Sequence, residues 1–379
     1  MDVTPAPEHT ALRQIVTDVF DDELAPLVRR MADRPRHTDA PADGPDDADV
    51  RAMVWQALTD LDVLALNQSP VPGALRGLQS LAVVAERLGE VLYQGPFADT
   101  VLTSEALLRT APGSSRDTLL KRIAAGTSVA AAIRDGRPDP GGAPLSVDAT
   151  GRLLTAERRF VVCAAEADLL LVTGRTAAGE FRTALVERDD PTVRLRRQEE
   201  LSRGELYAVG LAGTPVLAWL DLDERDWREL TGSARVLQAA HLVGLSRGAL
   251  RLGVAHAGER HQFGGPIGRQ QSLAFTLARL ATRTDSAHLL TRAAAWEADR
   301  GGDHRLTAGQ CLAMAGELAR DTARDVLQVH GAHGLTEGCD AQLFYRRAAL
   351  DSLALGTPAQ LRADVLPLLR ARRRTSPPV

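Results

Sequence analysis

Three long segments in the last third of the sequence repeat apolar residues at the spacing of an α-helix. Segment by segment, these residues are Val236, Ala240, Val243, Leu250 and Val254; Leu273, Leu277, Leu280, Ala287, Leu290 and Ala294; and Ala308, Cys311, Ala315, Leu318 and Val326. A helix turns once in about 3.6 residues, so this spacing gives each segment one apolar face. Consecutive helices of this kind bury their faces against one another. We therefore expect an antiparallel helical bundle over residues 223–379.

A second helical region precedes the bundle, in residues 1–126. Leu12 and Ile15 begin an apolar face, and residues 78–92 are apolar at helical spacing. Between these two segments, residues 33–49 are rich in Asp, Pro and Ala and hold almost no bulky apolar residue. Such a composition cannot bury much apolar surface, so we expect a surface loop there.

The pattern changes in residues 127–222, where short runs of apolar or β-branched residues alternate with turns. Three of these runs are Arg159–Cys163, Asp168–Val172 and Phe181–Val186. Runs of this length between Gly-, Asp- or Pro-containing turns indicate β-strands. The order helical, β, helical predicts an α+β fold that is mostly helical.

Composition narrows the class of protein. A net charge of −4 disfavours a general nucleic-acid binder. The three cysteines form no Cys-x-x-Cys pair, which favours a reduced, cytoplasmic protein. No apolar run approaches the roughly 20 residues that a membrane helix needs. The first ten residues lack the features of a secretion signal, so we expect none.

Two glycine-containing motifs fall inside the predicted bundle. Arg260-His-Gln-Phe-Gly-Gly-Pro-Ile-Gly-Arg-Gln-Gln271 ends a helix and enters a tight turn, and Gln328-Val-His-Gly-Ala-His-Gly334 follows, with Tyr345-Arg-Arg347 beyond it. Together they resemble the flavin-binding signatures of the acyl-CoA dehydrogenase family. The resemblance covers most of the chain and implies an N-terminal helical domain, a central β-domain and a C-terminal four-helix bundle.

The resemblance also implies FAD as cofactor. In the family, the arginine at the position of Arg260 reaches the flavin pyrophosphate, and Phe263 and Gln271 match positions near the adenine end. Gln328 and Gly331 match a loop whose backbone passes close to the diphosphate. The chemistry is suitable, because a guanidinium binds phosphate through forked hydrogen bonds and glycine lets backbone approach closely. Without the resemblance, the same residues predict only structural roles. Arg260 would lie at the end of a helix, and Gly331 would cap the end of another.

His330 and His333 invite a metal-site interpretation. Two histidines three residues apart are weak ligands on their own, because known sites add a cysteine or a carboxylate at a suitable spacing. None lies at such a spacing here. We expect no metal.

Some positions depart from the family pattern. Ala332 stands where the family loop has its second glycine. Residues 130–140 read Ala-Ala-Ala-Ile-Arg-Asp-Gly-Arg-Pro-Asp-Pro, where many members carry a Thr-Glu-Pro-type strand and a Gly-Ser-Asp turn. In those members this region contacts the flavin ring and the acyl thioester.

The catalytic base of the family is also missing. In a family dehydrogenase a carboxylate removes the α-proton of an acyl thioester while hydride passes from the β-carbon to the flavin. The spacing from Gln328 onward places Leu355 at the usual base position. A second position used in the family falls on Ala234, just before Arg235. Neither leucine nor alanine can take a proton; Arg235 matches the substrate end of the cleft.

Two other carboxylates could replace the base. Asp351 lies about one helical turn before Leu355, and Glu337 lies in the loop after Gly334. Each also reads as an ordinary solvated surface charge.

These residues leave three functions open. The first is a divergent FAD-dependent dehydrogenase of acyl-CoA or carrier-bound acyl thioesters, acting as a homo-oligomer or as one subunit of a hetero-oligomer with a paralogue that supplies the base. The second is a scaffold reused for non-redox catalysis or as a non-catalytic partner. The third is a flavin-dependent oxygenase, which needs no α-proton base.

Overall fold

The computed structural model describes residues 7–33, 46–68, 77–134, 143–148 and 151–375. The helices are α1 (Pro7–Val19), α2 (Ala25–Asp33), α3 (Asp47–Asp60), α4 (Gly77–Glu90), α5 (Phe97–Arg109), α6 (Ser114–Ala124), α7 (Glu224–Glu259), α8 (Gln271–Asp299), α9 (Arg305–Val329), α10 (Ala341–Asp351) and α11 (Pro358–Thr375). The strands are β1 (Val129–Ala132), β2 (Ser146–Val147), β3 (Leu153–Val162), β4 (Leu169–Arg175), β5 (Phe181–Glu187), β6 (Val193–Arg197), β7 (Leu206–Leu211), β8 (Ala218–Leu220), β9 (His261–Gln262) and β10 (Gly265–Pro266).

The described residues form two compact units. The first unit holds residues 7–33, 77–93 and 235–375, and the second holds residues 46–68 and most of 94–234. The boundary between the two falls within α7, after Ala234. The α+β, mostly helical fold that the sequence predicts is confirmed. The three-domain division at residues 126 and 222 stays a prediction.

In the first unit, helices α4 and α7 meet backbone to backbone. A Cβ added at Gly89 would overlap the carbonyl oxygen of His241, and one added at Gly244 would overlap that of Glu86. At Gly248 it would lie 2.6 Å from the carbonyl oxygen of Glu90. Real Cβ atoms do not approach so closely, so the crossing requires glycine at these positions.

The long helices predicted from apolar spacing are α7, α8 and α9, and α9 packs against α8, α10 and α11. Leu280, Ala287 and Leu318 are fully buried, as the spacing predicts. Val254, which the spacing places on the apolar face of α7, is half exposed, whereas Ala257 on the same helix is buried.

Asp299, the last residue of α8, caps the start of α4. Its carboxylate accepts hydrogen bonds from the backbone N–H groups of Leu78 at 2.6 Å and Gln79 at 3.1 Å. The first N–H groups of a helix have no partner within the helix, so this carboxylate satisfies two of them and complements the helix dipole. The contact ties together elements 220 residues apart in sequence.

The second unit contains two four-stranded sheets. Their strand orders are β1-β4-β5-β8 and β2-β3-β7-β6, and β1 and β4 pair in parallel. One apolar cluster holds buried residues of both sheets, so the sheets pack against each other. The predicted runs at 168–172 and 181–186 coincide with β4 and β5. The run at 159–163 falls at the end of β3, where the register shifts and Phe160 takes a positive φ of 58°.

The predictions for Ile15 and for the loop at residues 33–49 were wrong. Ile15 is exposed, because the buried face of α1 carries Leu12 and Val16 instead. The predicted loop at residues 33–49 ends earlier, since Asp46 caps α3 and pairs reciprocally with Asp49. Residues 34–45 of that loop lie outside the described residues.

Candidate functional site

The Arg260 motif forms a short hairpin after α7. Strands β9 and β10 pair antiparallel, and Phe263 and Gly264 between them have φ values of 52° and 85°. Two successive residues with positive φ are typical of a type I′ turn, which matches the twist of paired strands. The backbone N–H of Ile267 donates to the carbonyl of Arg260 at 2.8 Å and closes the hairpin. The ring of Phe263 at the tip is 94% exposed.

The Gln328 motif ends α9 and turns the chain sharply. Gly331 has a φ of 61°, the left-handed conformation common just after a helix. Gly334 packs back on the helix, since an added Cβ would lie 2.6 Å from the carbonyl oxygen of Leu327. Ala332 is exposed and is not among the residues with positive φ, so its methyl group causes no backbone strain.

The structure brings the two motifs to the same end of the first unit. The rings of His256 on α7 and His330 after α9 stack with centroids 4.1 Å apart. Ala257, Leu277 and Val329 form a small buried cluster, against which Ile267 and Leu273 also pack. This cluster joins the end of α7, the start of α8 and the end of α9. Arg260, Gln271, Gln328 and Gly331, which the family resemblance groups into one site, lie close in sequence to its members.

This end of the unit carries the cationic side chain of Arg260. Burial lowers the pKa of His256, the neighbouring His330, Arg260 and His333 lower it further, and Glu259 opposes them. The Arg260 guanidinium stays charged and can attract an anion. Arg260, Gln271 and Gln328 are all exposed and accessible to a ligand.

Arg235 and Leu355, also in the first unit, lie in contact. The Arg235 Nε donates to the carbonyl of Leu355 at 3.3 Å, and its Nη2 pairs with Asp364 at 2.7 Å. Leu355 has a φ of 61° and is followed by Gly356 at 127°. A leucine in the left-handed region is uncommon, and such strain persists only where neighbours hold it. Arg235 supplies part of that restraint.

Asp351, one of the two carboxylates predicted as a substitute base, is paired with an arginine and a histidine. Arg347 Nη2 donates to its two oxygens at 2.9 and 2.8 Å, and His241 Nε2 lies 2.9 Å from one of them. Burial raises the pKa of Asp351, but Arg347 and His241 outweigh this and hold it below its ordinary value. A carboxylate of low pKa is a weak base, so the geometry favours a role in fastening α10 to α7. Glu337, the other substitute, lies exposed in a turn.

Asp99 is a partly buried acid that was not predicted from the sequence. It lies in the first turn of α5, in the second unit, and accepts a hydrogen bond from the backbone N–H of Ala131 at 2.9 Å. Burial raises its pKa to about 6, against the opposing effects of Ala131 and Arg134. In the sequence, Asp99 is a single carboxylate among the apolar residues that begin α5, and nothing else there marks it. Ala131 and Arg134 belong to the 130–140 region, whose residues 135–140 lie outside the described residues.

No group of three or more His, Cys, Asp or Glu within the described ranges could hold a metal ion. No helix in the part of the chain that the structure describes is long and apolar enough to cross a membrane.

Sequence comparison decides the family. The model of the acyl-CoA dehydrogenase C-terminal domain matches residues 228–366, which include the hairpin, the Gln328 motif and the Leu355 turn. Over these residues the chain belongs to the acyl-CoA dehydrogenase family.

Three similar proteins show the extent of the match. Acryloyl-CoA reductase (NADH) of Anaerotignum propionicum is 33% identical over 129 residues, 34% of this chain and 33% of that protein. Acyl-CoA dehydrogenase IpdE2 of Mycobacterium tuberculosis is 26% identical over 370 residues, 95% of this chain and 96% of that protein. The ChsE4-ChsE5 complex from Mycobacterium tuberculosis contains a chain with a TM-score of 0.80 and 22% identity, covering 100% of both chains. The chain thus spans only a third of the reductase, and the last likeness shows the fold alone.

Proposed function

We propose that this acyl-CoA dehydrogenase family member is a divergent FAD-dependent dehydrogenase of acyl-CoA or carrier-bound acyl thioesters. The supporting observation is the cationic end of the first unit, where the Arg260 hairpin and the Gln328 loop come together. Its exposed donors suit the diphosphate of a dinucleotide, since a guanidinium forms forked, charge-assisted bonds to phosphate oxygens.

The residues present fit FAD at this end. No atom of the described residues lies within 4 Å of where a Cβ would stand on Gly264 or Gly331, so a ligand can approach the backbone at both turns. Arg260 would hold the diphosphate, Phe263 would pack on an apolar surface of the cofactor, and Gln271 and Gln328 would offer amide groups. When bound, the flavin would accept the hydride that leaves the β-carbon of the acyl thioester.

The α-proton must leave to a carboxylate that does not stand at position 355. Arg235 holds the turn at Leu355, but leucine cannot take a proton, and Asp351 is engaged with Arg347 and His241. A second subunit of different sequence could supply the base, which makes this chain one half of a hetero-oligomer.

Flavin retention tests this proposal. The chain is purified alone, its visible absorption is recorded, and the measurement is repeated after incubation with excess FAD and removal of the unbound fraction. We expect a flavin band that stays with the protein. Arg260→Ala should weaken FAD binding about 10- to 100-fold, because a hydrogen bond between charged groups contributes roughly 1.5–3 kcal/mol. Circular dichroism should remain unchanged.

Arg269→Ala is the matched control, because Arg269 is an exposed arginine of the same connection between α7 and α8. It should retain FAD. Equal flavin occupancy in the Arg260→Ala variant would remove the assignment of Arg260.

The missing base favours a second function, a scaffold reused without redox chemistry. A protein that stays colourless alone and after mixing with FAD, and also with a paralogue from the same genome, would support it. A protein that binds FAD and consumes oxygen with reduced flavin, yet does not dehydrogenate acyl thioesters, would instead be an oxygenase.

A further inference from the structure

A cavity of about 300 Å³ lies inside the first unit, away from the residues assigned to the cofactor. Helices α1, α4, α7 and α8 line it, and its walls are of two kinds. One side is apolar and built of small side chains, among them Ala82, Val83, Ala240 and Ala295. The other side is charged and polar, and carries Arg13, Glu86, Arg247, His288 and Arg292.

Glu86 on α4 is the centre of the charged side. Its carboxylate oxygens pair with Arg13 Nη1 at 3.1 Å, with Arg247 Nη1, and with His288 Nδ1 at 2.9 Å. Each partner comes from a different helix, so one carboxylate joins α1, α7 and α8 to α4. A buried charge is stable only when it is paired and hydrogen-bonded, and Glu86 meets both conditions.

The charges on the cavity wall do not cancel. Three guanidinium groups line the wall with one carboxylate, and the exposed carboxylate of Asp285 lies 4.0 Å from Arg247, so arginines still outnumber carboxylates here. Burial together with Arg247, Arg13 and Arg292 lowers the pKa of His288 to about 3. Burial and Arg292 likewise lower the pKa of His9, which Asp299 and Glu8 partly oppose. Both histidines are therefore neutral near pH 7, and the cavity keeps a positive surplus from arginine.

The arginines also have donors to offer. A guanidinium carries five N–H groups. Glu86 occupies one nitrogen of Arg13 and one of Arg247, whose second terminal nitrogen faces Asp285. Further donors remain on both groups. Thr10, Gln79 and Thr291 add polar atoms to the same wall.

We propose that this cavity binds a small oxyanion, the phosphate or carboxylate group of a short metabolite, held by Arg13, Arg247 and Arg292. The apolar wall of alanine and valine would receive a short carbon chain. The cavity volume lies at the lower end of the range for small-molecule sites. This limits the ligand to a few carbon atoms beside its anionic group. Glu86 and His288 hold the arginines in place and are positioning residues.

Isothermal titration calorimetry on the full chain tests this proposal with two probes, inorganic phosphate and butyrate, against sodium chloride at equal ionic strength. We expect saturable binding of at least one probe. Binding of phosphate alone would identify a phosphate ligand, and preference for butyrate a short carboxylic acid. Arg13→Gln and Arg292→Gln should each weaken binding about tenfold or more, as expected for a lost charge-assisted bond. Arg320→Gln, at an exposed arginine of α9 in another groove, should change nothing.

A variant that fills the cavity tests the same proposal if the arginine variants unfold. Val83→Phe leaves every charge in place but occupies the apolar side, so it should fold and bind neither probe. Arg260→Ala separates this site from the proposed flavin site, and it should bind the probes as the unmodified chain does. Absence of binding in the unmodified chain would overturn the proposal. So would binding that survives in folded Val83→Phe and disappears in Arg260→Ala.

Discussion

At the scale of single residues, Asp99 shows how tertiary structure changes the chemistry of a side chain. Burial at the start of α5 raises its pKa from 3.8 to about 6, although the Ala131 N–H and Arg134 favour the charged form. The folded protein therefore holds the proton more tightly than the unfolded chain does. Its contribution to stability is complete below the ordinary pKa and is lost as the pH rises through about 6.

Asp99→Asn removes this pH-dependent loss, because asparagine does not ionise and its Oδ1 still accepts the Ala131 N–H. We expect the melting temperature of the variant minus that of the unmodified chain to increase as the pH rises from about 4 to about 7. The full difference would be at most about 3 kcal/mol. Thermal denaturation across this pH range measures it, with Asp221→Asn, at an exposed aspartate of the same unit, as the control. A constant difference between Asp99→Asn and the unmodified chain would contradict the raised pKa.

At the scale of elements, sequence predicted the helices better than their contacts. Apolar spacing places α7, α8 and α9 correctly, because burial of one face is a local property of the sequence. The crossing of α4 and α7 depends on Gly89 and Gly244, which are more than 150 residues apart and carry no local signal. The cap that Asp299 provides for α4 was unpredictable for the same reason.

The crossing predicts opposite effects for two glycines of one helix. Gly244→Ala places a methyl group on the carbonyl of Glu86, so the helices must separate, and overpacking of this kind costs about 1–3 kcal/mol. Gly258 of α7 has nothing within 4 Å of an added Cβ. Gly258→Ala should therefore stabilise the protein by about 0.5–1 kcal/mol through helix propensity. Urea denaturation of both variants measures the pair, and a stabilised Gly244→Ala would show that the backbones are not in contact.

At the scale of the whole molecule, family and fold followed from sequence, whereas the candidate site followed only in part. The motifs at Arg260 and Gln328 lie at the same end of the first unit, and their role in binding a cofactor stays a prediction. The engagement of Asp351 by Arg347 and His241 could not be read from sequence, since it depends on how α10 meets α7. The arginine-lined cavity was missed for a similar reason, because its walls come from four separate helices.

Restoring a carboxylate tests whether the proposed dehydrogenase lacks only its base. Leu355→Glu places it at the turn that Arg235 holds. A positioned general base contributes about 10²- to 10⁴-fold. If the rest of the site is complete, the FAD-loaded variant should bleach its flavin on mixing with acyl-CoA thioesters of short to long chain length, without a partner subunit. The unmodified chain should bleach far more slowly.

Leu353→Glu is the matched control, because Leu353 lies in the same turn and is 44% exposed. It adds the same charge nearby without occupying the base position, so it should behave as the unmodified chain. Bleaching by Leu355→Glu alone would mean that the chain lost its base but kept its other catalytic parts, as expected of a subunit whose partner supplies the proton acceptor. An FAD-loaded Leu355→Glu variant that never bleaches would mean that substrate binding is lost as well, and would favour the reused scaffold.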